Sequence, residues 1–391
     1  MSWDSLAWIE GELERLRGEH LLRRPSLRGS RQGPRIVTDG QELVNFGSND
    51  YLGLAGDPRL AEAAAQALAQ FGWGAGASPL ITGRSAVQAE LERHLAAWEQ
   101  TEAALVFPTG FAANAGTVSA LVGPGDLVFS DAKNHASLID GCRISRARIV
   151  VYPHGDMGAL AELLRQAPES GRRLIVTDSL FSMDGDYAPL PDLVELSRRH
   201  RAMLMVDEAH ATGVLGEHGR GLCERMGVEA DVPVRVGTFS KALGSVGGFT
   251  VGSRRLIDWL YNRGRSFVFS TALPASCHAA SCRALQLVRA EPQARRELLD
   301  KAAACRQSLR EQGWQVGPGD SQIIPIVLSD PERTMGAALA LREAGMLVPG
   351  IRPPTVPRGE SLLRISICRG HSAAQLERLL TTLADLRKTL A

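Results

Sequence analysis

Lysine is the scarce residue of this chain. Of 44 basic residues, four are lysine (Lys133, Lys241, Lys301 and Lys388) and the rest arginine. Chemistry that needs a primary amine is therefore confined to four side chains. Excess charge is missing as well: 44 Lys and Arg balance 43 Asp and Glu, for a net charge of +1. That argues against a nucleic-acid partner held by a broad basic surface. No apolar run approaches the ~20 residues that span a bilayer, so no membrane partner is expected. The acidic start at Asp4 lacks the basic-then-apolar order of a secretory signal. Six cysteines (Cys142, Cys223, Cys277, Cys282, Cys305, Cys368) lie scattered, with no C-x-x-C and no histidine pair at ligand spacing. This pattern builds neither a disulfide framework nor a metal site and fits a reducing, cytoplasmic compartment. The H-E-x-x-H and G-x-S-x-G signatures of metalloproteases and hydrolases are absent too.

What is present is enough for a large core. At roughly 150 residues per domain, 391 residues suggest two or three units. Helical spacing of Leu6, Ile9, Leu13 and Leu16 predicts an amphipathic helix from Met1 to about Glu19. A hairpin is expected next, its strands flanking Asp39-Gly40. From about 100 to 253 short apolar runs alternate with helical stretches. The runs are 103–107, 127–130, 148–152, 174–178, 203–207, 234–239 and 249–251. That rhythm predicts an α/β fold with a mainly parallel, doubly wound sheet covered on both faces. A long helical stretch from 275 to about 312, interrupted at Pro292, leads into a small α/β unit with strands at 323–328 and 362–367. The expected division is an N-terminal arm and hairpin over 1–55, a large domain over 56–290 and a small C-terminal domain over 291–391.

Met205-Val206-Asp207-Glu208-Ala209-His210 ends one of these strands. Its letters spell a helicase box, but none of the four lysines follows a glycine, so the phosphate loop that a helicase needs is lacking. A structural account, with Asp207 and His210 capping a following helix, stays open. Further on, Thr238-Phe239-Ser240-Lys241 puts a lysine among small residues just after a strand, at the sheet edge where open α/β folds bind ligands. An amine there can be desolvated and form a Schiff base with pyridoxal phosphate. A pyridinium ring wants a carboxylate at its nitrogen, which Asp207 supplies, while His210 suits the phenolic oxygen. Gly110-Phe111-Ala112-Ala113-Asn114 opens a helix after a strand, a ready phosphate site. Asn134-His135-Ala136-Ser137 and Phe181-Ser182-Met183-Asp184-Gly185-Asp186 also follow strands. The stretch Gly72–Gly76 is no dinucleotide fingerprint, because it follows a helix.

Taken in order, these motifs together with Ser48-Asn49-Asp50-Tyr51-Leu52-Gly53-Leu54 resemble the α-oxoamine synthases, a family of fold-type I pyridoxal-phosphate transferases. The resemblance runs through the whole chain. It implies pyridoxal 5'-phosphate as cofactor, held covalently by Lys241. His135 would stack on the ring, Asp207 pair with its nitrogen, and His210 and Ser182 contact its phenolic oxygen. Gly110 and Phe111 would offer N–H groups to the phosphate and Thr238 a hydroxyl. The family's shared active site implies a homodimer in which Ser270-Thr271 reaches the neighbour's phosphate. The run Ile351-Arg352-Pro353-Pro354-Thr355-Val356-Pro357 is similar to that of members which condense L-alanine with pimeloyl-CoA or pimeloyl-acyl carrier protein on the way to biotin. Members such as the 2-amino-3-ketobutyrate ligase use glycine and acetyl-CoA instead. By resemblance, Arg352 would clamp the amino-acid carboxylate, Thr355 line the acyl site and Asn49 lie near the reacting amino acid. An N-terminal arginine, Arg23 or its neighbour Arg24, would touch substrate.

Overall fold

The computed structural model describes residues 4–390. The helix expected from Met1 covers Trp8–Gly18; residues 1–3 lie outside the described ones. Two compact units divide the chain. The larger takes Asn49–Ser182 and Asp186–Glu297, and the smaller takes residues up to Ser48, Met183–Gly185 and those from Leu298 on. No helix among the described residues is long and apolar enough to cross a membrane.

The larger unit is built on a seven-stranded sheet. Its strands are β1 (Ala103–Phe107), β2 (Leu127–Asp131), β3 (Arg148–Tyr152), β4 (Arg173–Asp178), β5 (Met203–Asp207), β6 (Val234–Thr238) and β7 (Gly248–Gly252). They stand in the order β1-β7-β6-β5-β4-β2-β3. All neighbours are parallel except β7, which runs against both β1 and β6. The strands are continuous apolar runs because helices cover both faces; Leu105, Val128, Val176, Met205 and Val236 are all buried.

Two helices shape the edge where β1, β2, β4, β5 and β6 end. The first, α1 (Gly110–Leu121), is capped by Thr109, whose Oγ1 accepts the Ala112 N–H at 3.0 Å. Its small residues let it lie close to the sheet, and Thr117 Oγ1 sits 2.8 Å from Thr250 Oγ1 on β7. The second, α2 (Ala136–Ser145), packs along α1. Gly248 opens β7 at this edge, opposite the last residues of β1 and β6. A Cβ there would lie 2.5 Å from Gly110 Cα and 2.6 Å from the Thr109 carbonyl, both backbone atoms that cannot swing aside.

In the smaller unit, the expected hairpin pairs Arg35–Thr38 with Gln41–Asn45. Asp39 and Gly40 both take positive φ, 51° and 78°, as the tight turn of a two-residue hairpin demands. The hairpin is not a free N-terminal arm. Met346–Leu347 pairs in parallel with Val44 and Asn45, so a strand some 300 residues later ties it into the same unit as the C-terminal residues. A second sheet joins Ile323–Ser329, Ser361–Ser366 and Gly350–Ile351.

Gly248→Ala should lower stability by about 1–3 kcal/mol, the usual range for an overpacked site. It should also displace the start of α1. Urea unfolding of the variant checks the first effect, and weakened retention of a phosphate-bearing ligand checks the second.

Candidate active site

Asp131, Asp178, Asp207 and Thr238 are the last residues of β2, β4, β5 and β6, and parallel pairing gathers them at one edge of the larger unit. Asp207 is buried at the end of β5. Its Oδ1 accepts the Ala209 N–H at 2.8 Å, and its Oδ2 accepts the Asn114 amide at 2.6 Å. Asp178 stands opposite it in register. Burial and the Asp207 charge push the Asp178 pKa well up, against the pull of the His135 N–H and the Lys241 charge.

His135 caps α2. Its backbone N–H donates to Asp178 Oδ2 at 2.6 Å, and its Nδ1 lies 2.7 Å from Ser137 Oγ. The residue is exposed overall, but Nδ1 is turned into the protein. Desolvation by the surrounding atoms lowers its pKa; Asp207 opposes this and Lys241 reinforces it. Lys241, half-buried just past β6, thus bears on both His135 and Asp178. His210 is buried, with Nδ1 2.7 Å from the Tyr51 hydroxyl, which donates to Asn49 Oδ1 at 3.1 Å. Asn49 is therefore tied to His210 through Tyr51, a neighbour in the same motif. Ser182 follows β4 in a tight loop in which the Phe181 N–H donates to the Asp186 carbonyl.

Gly110 and Phe111 form the first turn of α1, and neither backbone N–H has a partner among the described residues. Thr238 Oγ1 donates to the Gly247 carbonyl at 2.7 Å and accepts the Ser240 N–H at 3.1 Å. A Cβ on Gly110 would lie 3.4 Å from that hydroxyl. Ser240, exposed beside it, is a further hydroxyl at this corner. Ser270 and Thr271 follow the helix Arg265–Val268, which packs on α1; Thr271 is exposed. The donor set fits pyridoxal phosphate. A helix start with open N–H groups suits the phosphate, a buried carboxylate suits a ring nitrogen, an exposed imidazole suits the ring face, and an amine suits the aldehyde.

Arg23, Arg352 and Thr355 come together in the smaller unit. Arg23 donates to Thr355 Oγ1 at 2.8 Å, which selects it over Arg24 as the arginine of this cluster. Arg352 donates to the Leu22 carbonyl at 2.7 Å and contacts Met335 Sδ, while its buried Nε has no partner among the described residues. No carboxylate among the described residues pairs with either guanidinium. Desolvation and the Arg23 charge lower the Arg352 pKa.

The capping account holds in part for Asp207, which caps the turn after the strand through the Ala209 N–H, and not for His210, which bonds Tyr51. Glu208, between them, accepts the Ser179 hydroxyl at 2.6 Å and the N–H groups of Leu222 and Cys223 at 2.9 and 2.7 Å. Through the last two bonds Glu208 holds the start of the short helix Leu222–Arg225. Alternation along the strand was the available signal, since Glu208 must point away from Asp207.

The loops at this edge share one cation. His154, after β3, places Nδ1 2.9 Å from Asp131 and Nε2 3.0 Å from Asp186. Burial alone would depress its pKa, but the hydrogen bonds and charges of both carboxylates outweigh that and raise it to about 10. A folded value above the unfolded ~6.5 means that the stabilisation is fully present below ~6.5 and fades as pH climbs towards about 10. His154→Gln should therefore cost on the order of 2 kcal/mol at pH 6 and far less at pH 10. Denaturation curves at the two pH values measure the difference.

A family model described as aminotransferase class I and II matches residues 41–383. The 8-amino-7-oxononanoate synthase of Anaeromyxobacter dehalogenans is 50% identical over 384 residues, 98% of this chain and 96% of that protein. Among solved structures, a serine palmitoyltransferase variant from S. paucimobilis, with a PLP–myriocin aldimine bound, superposes with a TM-score of 0.94 at 32% identity, covering 99% of each chain. The 8-amino-7-oxononanoate synthase of Francisella tularensis gives 0.78 at 25% identity, over 89% of this chain and 98% of that one. The edge geometry, the donor set and these likenesses agree: the chain belongs to the class I and II aminotransferase family of fold-type I, pyridoxal-phosphate-dependent enzymes.

Proposed function

We propose that this protein is an 8-amino-7-oxononanoate synthase of biotin synthesis. It joins L-alanine to a pimeloyl thioester of coenzyme A or acyl carrier protein and releases 8-amino-7-oxononanoate, carbon dioxide and the free thiol. The observation that carries the reading is 50% identity over nearly the whole chain to a relative of that name. The unpaired arginines agree with it. Alanine brings one carboxylate and a pimeloyl chain keeps another at its far end, whereas a palmitoyl chain has none. Arg23 and Arg352, two guanidiniums without acid partners, suit two such anions.

Pyridoxal phosphate, when bound at Lys241, supplies an electron sink for a carbanion at the substrate Cα. The Lys241 amine takes the Cα proton onto Nζ once the amino acid is in place. Asp207 keeps a proton at the ring nitrogen, His210 and Ser182 address the ring oxygen, and His135 covers one ring face. The N–H groups of Gly110 and Phe111 and the Thr238 hydroxyl take the phosphate. Arg352 receives the alanine carboxylate, Arg23 and Thr355 meet the acyl substrate, and Asn49 stands by the amino acid. The alanine Cα attacks the thioester carbonyl, the C–S bond breaks, and the departing thiolate takes a proton from solvent. The alanine carboxyl group then leaves as carbon dioxide, and Lys241 returns a proton to Cα.

A homodimer belongs to the same proposal, with Ser270 and Thr271 serving the neighbour's phosphate. Trp73, Ile81 and Phe269 support it: they leave 72%, 76% and 71% of their surface in water, more than an isolated subunit has reason to expose. The six free cysteines support a cytoplasmic setting.

The purified enzyme should turn over alanine with pimeloyl thioester far faster than glycine with acetyl-CoA; the opposite preference would overturn the assignment. Lys241→Ala should lose the covalent cofactor absorbance and turnover together. Arg352→Lys should raise the KM for alanine about ten- to a hundredfold, the worth of a charged, two-pronged hydrogen bond.

A further inference from the structure

Asn114 and Ser137 connect two principal side chains of the proposed site, Asp207 and His135. Asn114 on α1 and Ser137 on α2 are 2% and 1% exposed. Asn114 Nδ2 donates to Asp207 Oδ2 at 2.6 Å and to Ser137 Oγ at 2.9 Å. Ser137 Oγ in turn lies 2.7 Å from His135 Nδ1, and the Ser137 backbone N–H donates to the same nitrogen at 3.2 Å.

The direction of every bond follows from the charge at one end. A carboxylate only accepts, so the amide turns its NH2 group towards Asp207. Asn114 Oδ1 is left buried without a partner among the described residues, a penalty. Flipping the amide would only replace that penalty by aiming a carbonyl at a carboxylate. Ser137 Oγ receives the second amide hydrogen and has its own hydrogen left for His135. Nδ1 then faces two donors and must present a lone pair, which puts the ring's hydrogen on Nε2. Protonating Nδ1 would set one N–H against another.

We propose that Asn114 and Ser137 are positioning residues, a donor chain from Asp207 that holds His135 in one ring plane as the neutral Nε2–H tautomer. An uncharged imidazole then lies against the cofactor ring with its single N–H at a known atom. The charged groups around the imidazole pull in different directions. Asp207 on β5 favours its protonation and Lys241 beyond β6 opposes it, while Asp178 on β4 holds the His135 backbone. The donor chain adds a directional constraint that neither charge supplies. It rests on cofactor binding and not on which acyl donor or amino acid is used.

The test is NMR of the holoenzyme labelled with 15N-histidine, followed from about pH 5.5 to 8.5 around the ordinary imidazole midpoint of ~6.5. Wild-type His135 should show a bare Nδ1 and a protonated Nε2, with no titration near that midpoint. In Ser137→Ala, with cofactor content unchanged, the midpoint should rise into this range, so that a titration becomes visible, and both tautomers should appear. The acid limb of kcat/KM should move with it. Asn114→Leu should shift the midpoint in the same direction, and Ser137→Thr, which keeps the hydroxyl, should behave as wild type. A wild-type ring protonated at Nδ1 overturns the proposal, as does a Ser137→Ala enzyme that titrates like wild type. Should Ser137→Ala fail to fold, the wild-type tautomer decides alone. Loss of turnover with alanine and pimeloyl thioester would not touch this result, so the two readings fail separately.

Discussion

A buried carboxylate at the end of the central strand is the constraint around which the larger unit is organised. Asp207 sits 3% exposed where six strands of one direction end at the same edge. A charge in such a place is tolerable only if its lone pairs are occupied. The Ala209 N–H and the Asn114 amide occupy two of them and leave room for a third partner. Meeting that demand fixes the neighbours. Asn114 must lie on a helix that approaches the sheet closely, and that approach needs Gly248 without a side chain. The same helix start then presents two open N–H groups. The proposed phosphate cradle and the proposed partner of the ring nitrogen are thus consequences of one packing arrangement.

Parallel strands add a second consequence, a crowd of acids. Asp131, Asp178 and Asp207 all end strands on this edge because the chain turns into helices there. Each is handled by different chemistry. Asp178, facing Asp207 in register, has its pKa driven up by burial and by that neighbour. Asp131 and Asp186 share the His154 cation. The loop that carries Ser182 is held by the same imidazolium, with Phe181 edge-on to its ring at 4.4 Å. Electrostatic compensation therefore shapes the loops that the proposed chemistry uses.

Much of this was legible in the sequence, and what was not has a physical reason. Continuous apolar runs revealed the strands, because burial on both faces leaves no room for polar residues. They could not reveal that β7 runs antiparallel between β1 and β6, since an apolar run carries no direction. Asp207, His210 and Lys241 stood out through residue type next to a strand end. Asn114 and Glu208 did not, although both lie inside quoted motifs: their roles depend on partners far along the chain, such as Asp207 from Asn114 and Cys223 from Glu208. Arg23 and Arg24 were equivalent as letters, and only the bond to Thr355 separates them. The hairpin read as an arm because its third strand, Met346–Leu347, is two residues long and gives no periodic signal.

The four lysines show how composition and geometry sharpen one another. In a chain where nearly every surface cation is arginine, a retained lysine calls for a reason. Lys301 has one: its Nζ binds the carbonyls of Arg369 and His371 at 2.5 and 2.9 Å, a site that takes a compact ammonium. Lys388 forms only an exposed pair with Asp385, which an arginine would serve as well. Lys241 is of another kind. It lies at the strand ends, where its charge bears on a histidine and a buried aspartate, close to the helix start with open N–H groups. A guanidinium there would keep its proton and could neither attack an aldehyde carbon nor take a proton from a substrate Cα, the two tasks proposed for this amine. Lys241 stands where the proposed chemistry needs an amine, and there arginine has not replaced it.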